Sequence, residues 1–147
     1  MTGRYHGHRL RTGRYSQPGG IYHVTAVTKG RRRWFEDHDL AVRVCRSITD
    51  VDQSGATQTW CFVVMPDHVH WLFSLGERYS LSHTVMMLKS RVVRRMGLSV
   101  WQRGFHDHAL REEESVIEVA RYIVANPLRA GLVSRLADYP YWNAAWL

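Results

Sequence analysis

"TWCFVVMPDHVHWLFSL", residues 59–75, is two short apolar runs separated by Pro66-Asp67. The first run, 59–65, is rich in aromatic and β-branched residues and reads as a buried strand. The second, "HVHWLFSL", reads as another strand. The break between them is short enough for the two to pair as a hairpin. The histidines in the second run are the anomaly. In a strand, residues i and i+2 point to the same face, so His68 and His70 project together while Val69 and Trp71 go to the other side. Their Cβ atoms then lie about 7 Å apart. Two imidazoles so placed can converge on one divalent ion. They can equally be structural histidines held by hydrogen bonds. The H-x-H pattern occurs three times, at His6/His8, His68/His70 and His106/His108, and only the middle pair sits inside an apolar strand.

Working outward, "IYHVTAVT" (21–28) reads as a strand and "KGRRRWFEDH" as a basic loop. Ala41, Val44, Cys45, Ile48 and Val51 repeat at helical spacing over 39–53. After the hairpin, Leu81, Val85, Leu88, Val92 and Met96 form a second helical stripe, closed by Gly97. "VWQRGFHDHALR" reads as a loop with a short strand. "EEESVIEVARYIVANP" reads as a helix with acids in its first turn and a stop at Pro127. The aromatic tail "GLVSRLADYPYWNAAWL" is expected to pack back on the domain. The order β-α-β-β-α-β-α implies an α+β fold, an antiparallel sheet flanked by helices, of ferredoxin or RNA-recognition topology.

The chain of 147 residues fits one domain, expected over 21–147 after a basic arm of residues 1–20. No apolar run is long enough to span a membrane. The arm lacks the apolar region of a signal peptide, so a cytoplasmic protein is the expectation. Cys45 and Cys61 read as buried core thiols. The net charge is +7, and 18 of the 20 basic residues are arginine. Arginine matches phosphate and stacks on bases, so a nucleic-acid partner is expected. Candidate phosphate contacts are Arg31, Arg32 and Arg33 in the loop, with Lys89, Arg91, Arg94 and Arg95 late on the second helix. Arg4, Arg9, Arg11 and Arg14 in the arm add a further set.

On the last helix Tyr122 and Asn126 are i and i+4 and share one face. A tyrosine oxygen can act as a covalent nucleophile, and an amide oxygen can serve a metal. Ordinary packing for Tyr122 and an ordinary helix cap for Asn126 are the alternatives.

"VVMPDHVHWLF", "VWQRGFHDHALR" and "ARYIVANPLRAGLV" together resemble the REP-associated tyrosine transposases, single-tyrosine members of the HUH endonuclease superfamily. The likeness runs from about Arg14 to Leu147. It implies that His68 and His70 hold a divalent cation, Mg²⁺ or Mn²⁺, with Asn126 as a third ligand. It implies that Tyr122 attacks a DNA phosphodiester, forms a 5′-phosphotyrosine link and frees a 3′-OH. The implied substrate is single-stranded DNA beside imperfect hairpins, handled by a monomer in the bacterial cytoplasm, associated with the nucleoid. A non-catalytic hairpin-binding module of ferredoxin-like fold, or a hydrolase in which metal activates water, would use the same residues differently.

Overall fold

The structure, a computed structural model, describes residues 19–97, 99–111 and 113–145. Its elements are β1 (Ile21–Val27), α1 (His38–Gln53), β2 (Thr57–Met65), β3 (His68–Leu75), α2 (Leu81–Met96), β4 (His106–Ala109), α3 (Val116–Val124), α4 (Asn126–Arg129) and β5 (Trp142–Ala144). The sheet order is β4-β1-β3-β2-β5, antiparallel throughout. The first four strands have the order expected of a ferredoxin-like βαββαβ arrangement. β5, from the aromatic tail, adds a strand to the outer edge of β2.

The helices begin where short oxygen-bearing side chains take up free amides. Asp37 accepts from the Leu40 amide, Ser80 from His83 and Ser115 from Glu118. α3 therefore starts after the acidic run rather than within it. α2 ends at Gly97, whose φ of 68° suits a residue without Cβ.

The alternation of β3 divides the core. Val69, Trp71 and Phe73 join Val24, Ala26 and Val64 on one face, under Val44 and Ile48 of α1 and Val85, Leu88 and Val92 of α2. Leu72 falls on the opposite face with Cys61, Val63 and Met65, beneath Ala120, Ile123 and Val124 of α3. Burying each large side chain contributes about 1.5–3 kcal/mol. Trp60 is the extra residue of a β2 irregularity between Thr59 and Cys61. Cys61 is buried as expected, and Cys45 is half-buried against the first core. Among the described residues, no helix is long and apolar enough to cross a membrane.

The hairpin end opposite the histidines is closed by backbone contact. The Gly76 amide donates to the Ala56 carbonyl at 2.8 Å. A Cβ at position 76 would lie 2.6 Å from the Gly55 oxygen and 2.9 Å from the Ala56 oxygen. Backbone on both sides cannot give way as a flexible side chain would. Gly76→Ala is expected to destabilise the fold by about 1–3 kcal/mol, read as a lower urea midpoint. An unchanged midpoint would show that this approach is not tight in solution.

Candidate active site

His68 and His70 lie on the α3 side of the sheet, on its central strand. The register pairs His70 with Thr25 and His68 with Val27 across β1, and His23 with His108 across β4. Alternation puts His23, Thr25, His68 and His70 on one face. The His68 and His70 rings stand edge to face with centroids 4.9 Å apart, and those of His23 and His70 are 5.2 Å apart.

The Nδ1 atom of each histidine is already engaged. His68 Nδ1 is 2.7 Å from Asp67 Oδ1. Burial pushes the Asp67 carboxyl up, but the His68 hydrogen bond and the charges of His68 and Arg31 outweigh it, leaving the group below its ordinary value. An ionised carboxylate only accepts, so His68 Nδ1 donates. In the neutral ring the lone pair is then on Nε2. Arg31 Nε reaches the other Asp67 oxygen at 3.0 Å, which anchors this carboxylate from the loop side.

His70 Nδ1 lies 3.0 Å from His23 Nε2 and 3.3 Å from Thr25 Oγ1. Burial, then the charges of His23, His68 and Arg129, pull His70 down to about 3. Burial and the charge of His108 pull His23 down to about 4. Both are neutral at pH 7, the form in which imidazole binds metal. The donor set suits a divalent ion: two imidazoles side by side, each engaged at Nδ1 by a second residue. Among the described residues, no three His, Cys, Asp or Glu side chains converge in a way that would hold a metal. Further ligands would come from elsewhere.

α3 covers the neighbouring part of the same face, over β2. Its Tyr122 side chain is 66% exposed. The single helix expected to carry both Tyr122 and Asn126 is broken between them. α3 ends at Val124, Ala125 has φ −78° and ψ 0°, and Asn126 opens the separate turn α4. Proline is the reason. Pro127 has no N–H for the carbonyl four residues earlier, that of Ile123. Asn126 Nδ2 donates to that carbonyl at 2.7 Å in its place. Its oxygen is the part of the amide left for a ligand.

The Arg129 guanidinium lies over the Tyr122 ring, 3.7 Å from the ring centre. Arg129, His23, Thr25 and Asp67 escaped the sequence reading. The alternation His23-x-Thr25 carried a signal, but it needed the β1–β3 register to become one.

The basic residues divide. Arg31 is held by Asp67, Arg32 stacks on Trp34 at 4.7 Å and Arg33 pairs with Glu36 at 2.9 Å. Arg91 lies 3.8 Å from Asp50. Lys89 is drawn into the fold: its Nζ donates to the carbonyls of Gln102, at 3.0 Å, and Gly104. It fixes the loop that bears Trp101. Beside it runs a groove of about 860 Å³ lined by Lys29, Met86, Arg94, Trp101 and Arg103. Arg4, Arg9, Arg11, Arg14 and the side chain of Arg95 lie outside the described residues.

Residues 16–126 match the family described as "Transposase IS200 like". The chain belongs to that family, and a five-stranded antiparallel sheet with a histidine pair and a helix-borne tyrosine is the form the family takes here. Within it, the chain is similar to the REP-associated tyrosine transposases. It is 26% identical to the one from Escherichia coli (strain K12) over 130 residues, covering 87% of this chain and 78% of the relative. A solved structure of a REP-associated tyrosine transposase bound to a REP hairpin superposes with a TM-score of 0.75 and 26% identity, covering 88% of this chain and 79% of that one.

The buried histidines give a pH signature. In the unfolded chain they take protons near pH 6.5, but in the folded protein only near 4 and 3. Their contribution to stability is therefore complete above about pH 6.5 and is lost as pH falls from there to the folded values. In metal-free buffer, stability is expected to fall by roughly 2–4 kcal/mol between pH 7 and 5, and by clearly less in His23→Leu. Equal pH slopes for the two proteins would mean that His23 protonates freely in the fold.

Proposed function

We propose that this transposase is a metal-dependent single-stranded DNA endonuclease and strand transferase that acts at REP-type hairpins through Tyr122. The observation that carries the reading is the pair of imidazoles, each tethered at Nδ1, on the sheet face that the Tyr122 helix packs against. The similarity to a transposase solved with a REP hairpin supports the substrate class. His68, His70 and the oxygen of Asn126 would hold the ion.

When bound, the divalent ion, Mg²⁺ or Mn²⁺, withdraws charge from the phosphate under attack. Asp67 and His23 orient the two imidazoles through their Nδ1 atoms. Tyr122 Oη attacks phosphorus, and the bond from phosphorus to the 3′ oxygen breaks. That oxygen takes up a proton to leave a 3′-OH, the phenolic proton goes to solvent, and the 5′ phosphate stays on Tyr122. Attack by a 3′-OH on this phosphotyrosine reverses the step and joins strands. Exposure of Tyr122 suits it to reach a strand from solvent.

The DNA surface we assign runs from the Arg31–Arg33 loop, which is tied to the site through Asp67, to Arg91, Arg94 and Arg95 and the groove beside them. The arm of residues 1–20, with Arg4, Arg9, Arg11 and Arg14, is proposed to read the hairpin itself and lies ahead of the catalytic domain, 21–147. Phosphate contacts dominate affinity and release counterions. Replacing Arg31, Arg32 and Arg33 with Ala is expected to reduce the log–log salt slope of hairpin binding by about 0.7–0.9 for each phosphate that is no longer neutralised. An unchanged slope would place the loop outside the footprint.

The direct test uses end-labelled single-stranded DNA flanking a REP hairpin with Mg²⁺ or Mn²⁺. The wild-type protein is expected to form a covalent adduct whose digest carries the nucleotide on the Tyr122 peptide. Tyr122→Phe is expected to lose cleavage and adduct and keep hairpin binding. Cleavage that survives in Tyr122→Phe would reassign the chemistry to an activated water. Binding without any cleavage would make the protein a binding module.

A further inference from the structure

The Tyr122 ring is exposed, yet it is not bare. Arg129, one short turn beyond the α3 break, lays its guanidinium 3.7 Å from the ring centre. The break itself makes this possible: a continuous helix would put residue 129 seven positions on, two turns away along the axis. Because Pro127 interrupts the helix and α4 folds as a separate turn, Arg129 returns over the phenol. Its charge also lowers the His70 pKa, so it is close enough to the histidine pair to act on it.

A guanidinium that stacks by its face leaves its five N–H groups pointing outward in the plane. No carboxylate among the described residues forms an ion pair with Arg129. Asp67 and Glu114 are taken by His68 with Arg31 and by His108 with Arg111. A cation with no carboxylate partner among the described residues, beside Tyr122 and the histidine cluster, is suited to an anion that arrives with the substrate.

We propose that Arg129 is a catalytic residue with two functions: its face restricts the Tyr122 ring to an attacking orientation, and its edge donates to the non-bridging oxygens of the scissile phosphate. This rests on the reading of Tyr122 as nucleophile. No proton is transferred by Arg129; it stabilises the added negative charge on the phosphate as the tyrosine oxygen bonds and the 3′ oxygen leaves. The phenol is thus held before DNA arrives, and the clamp is completed by the phosphate itself.

The experiment has two arms. In the first, without metal, ¹³C-labelled tyrosine rings are observed by NMR, with the Tyr122 signals identified by their absence in Tyr122→Phe. Arg129→Ala is expected to move the Tyr122 ring resonances, and a short single-stranded hairpin flank is expected to perturb them in wild type much more than in the variant. In the second arm, adduct formation is followed in single turnover at saturating hairpin DNA with Mn²⁺. Arg129→Ala is expected to slow the step by about 100-fold, with the hairpin Kd changed less than threefold. Added guanidinium ion is expected to restore part of the rate, and Arg129→Lys, which lacks the planar fork, to restore little. A variant that reacts at the wild-type rate, or one whose Tyr122 resonances are unmoved, would overturn the proposal. So would a loss confined to Kd, which would make Arg129 a simple backbone contact. Absence of an adduct from wild type, with the ring contact confirmed by NMR, would instead sink the nucleophile reading on which the catalytic half depends.

Discussion

The register of β3 between β1 and β2 governs everything else in this molecule. Side chains alternate with a period of two, so a slip of one residue would carry every side chain of β3 to the opposite face. In the observed register, Trp71 and Phe73 lie under the first two helices while His68 and His70 face the α3 side. A slip would bury two imidazoles under α1 and α2 and turn the largest aromatic side chain of the core to the α3 side. The apolar face therefore enforces the register, and the register assembles the site. The geometry of the histidine cluster here follows from core packing on the other side of the sheet.

The site in turn depends on a division of labour between the two nitrogens of each imidazole. The Asp67 carboxylate and the His23 ring take the Nδ1 atoms. Burial keeps His70 and His23 neutral at physiological pH. A neutral buried histidine pair carries a polar burden that hydrogen bonds offset only in part, and the loss of stability on acidification follows from it. The Pro127 break has a similar character. It gives up one helix hydrogen bond, recovers it through the Asn126 amide, and so brings Arg129 back over Tyr122.

Much of the fold was legible in the sequence because its signals are local. The hairpin around Pro66-Asp67, the stripes of α1 and α2 and the strand at 21–27 all rest on short-range periodicity, and the structure has them. β5 was not legible as a strand: three residues with Asn143 at their centre acquire that identity only by pairing with the edge of β2. The histidine pair could be picked out, but its support could not. His23 and His70 are 47 residues apart and meet only through the strand register. Asp67 reads as part of a turn, and its role depends on which way the turn presents its carboxylate. Lys89 reads as one cation among several on a helix, yet its ammonium is held by two loop carbonyls whose position no local pattern encodes. The spacing of Tyr122 and Asn126 suggested one helical face, and Pro127, read as a stop, proved to be a joint.

The central proposal is that His68 and His70, each engaged at Nδ1, present Nε2 to a divalent ion, which requires the Nδ1–H tautomer of each ring. Long-range ¹⁵N–¹H correlation spectra of the imidazoles at pH 7 measure this directly. The expected spectra show protonated Nδ1 and unprotonated Nε2 in both rings, and loss or displacement of the two Nε2 signals when Zn²⁺ or Mn²⁺ is added. An Nε2–H tautomer at His70, donating nothing to His23, or Nε2 signals indifferent to metal, would contradict it.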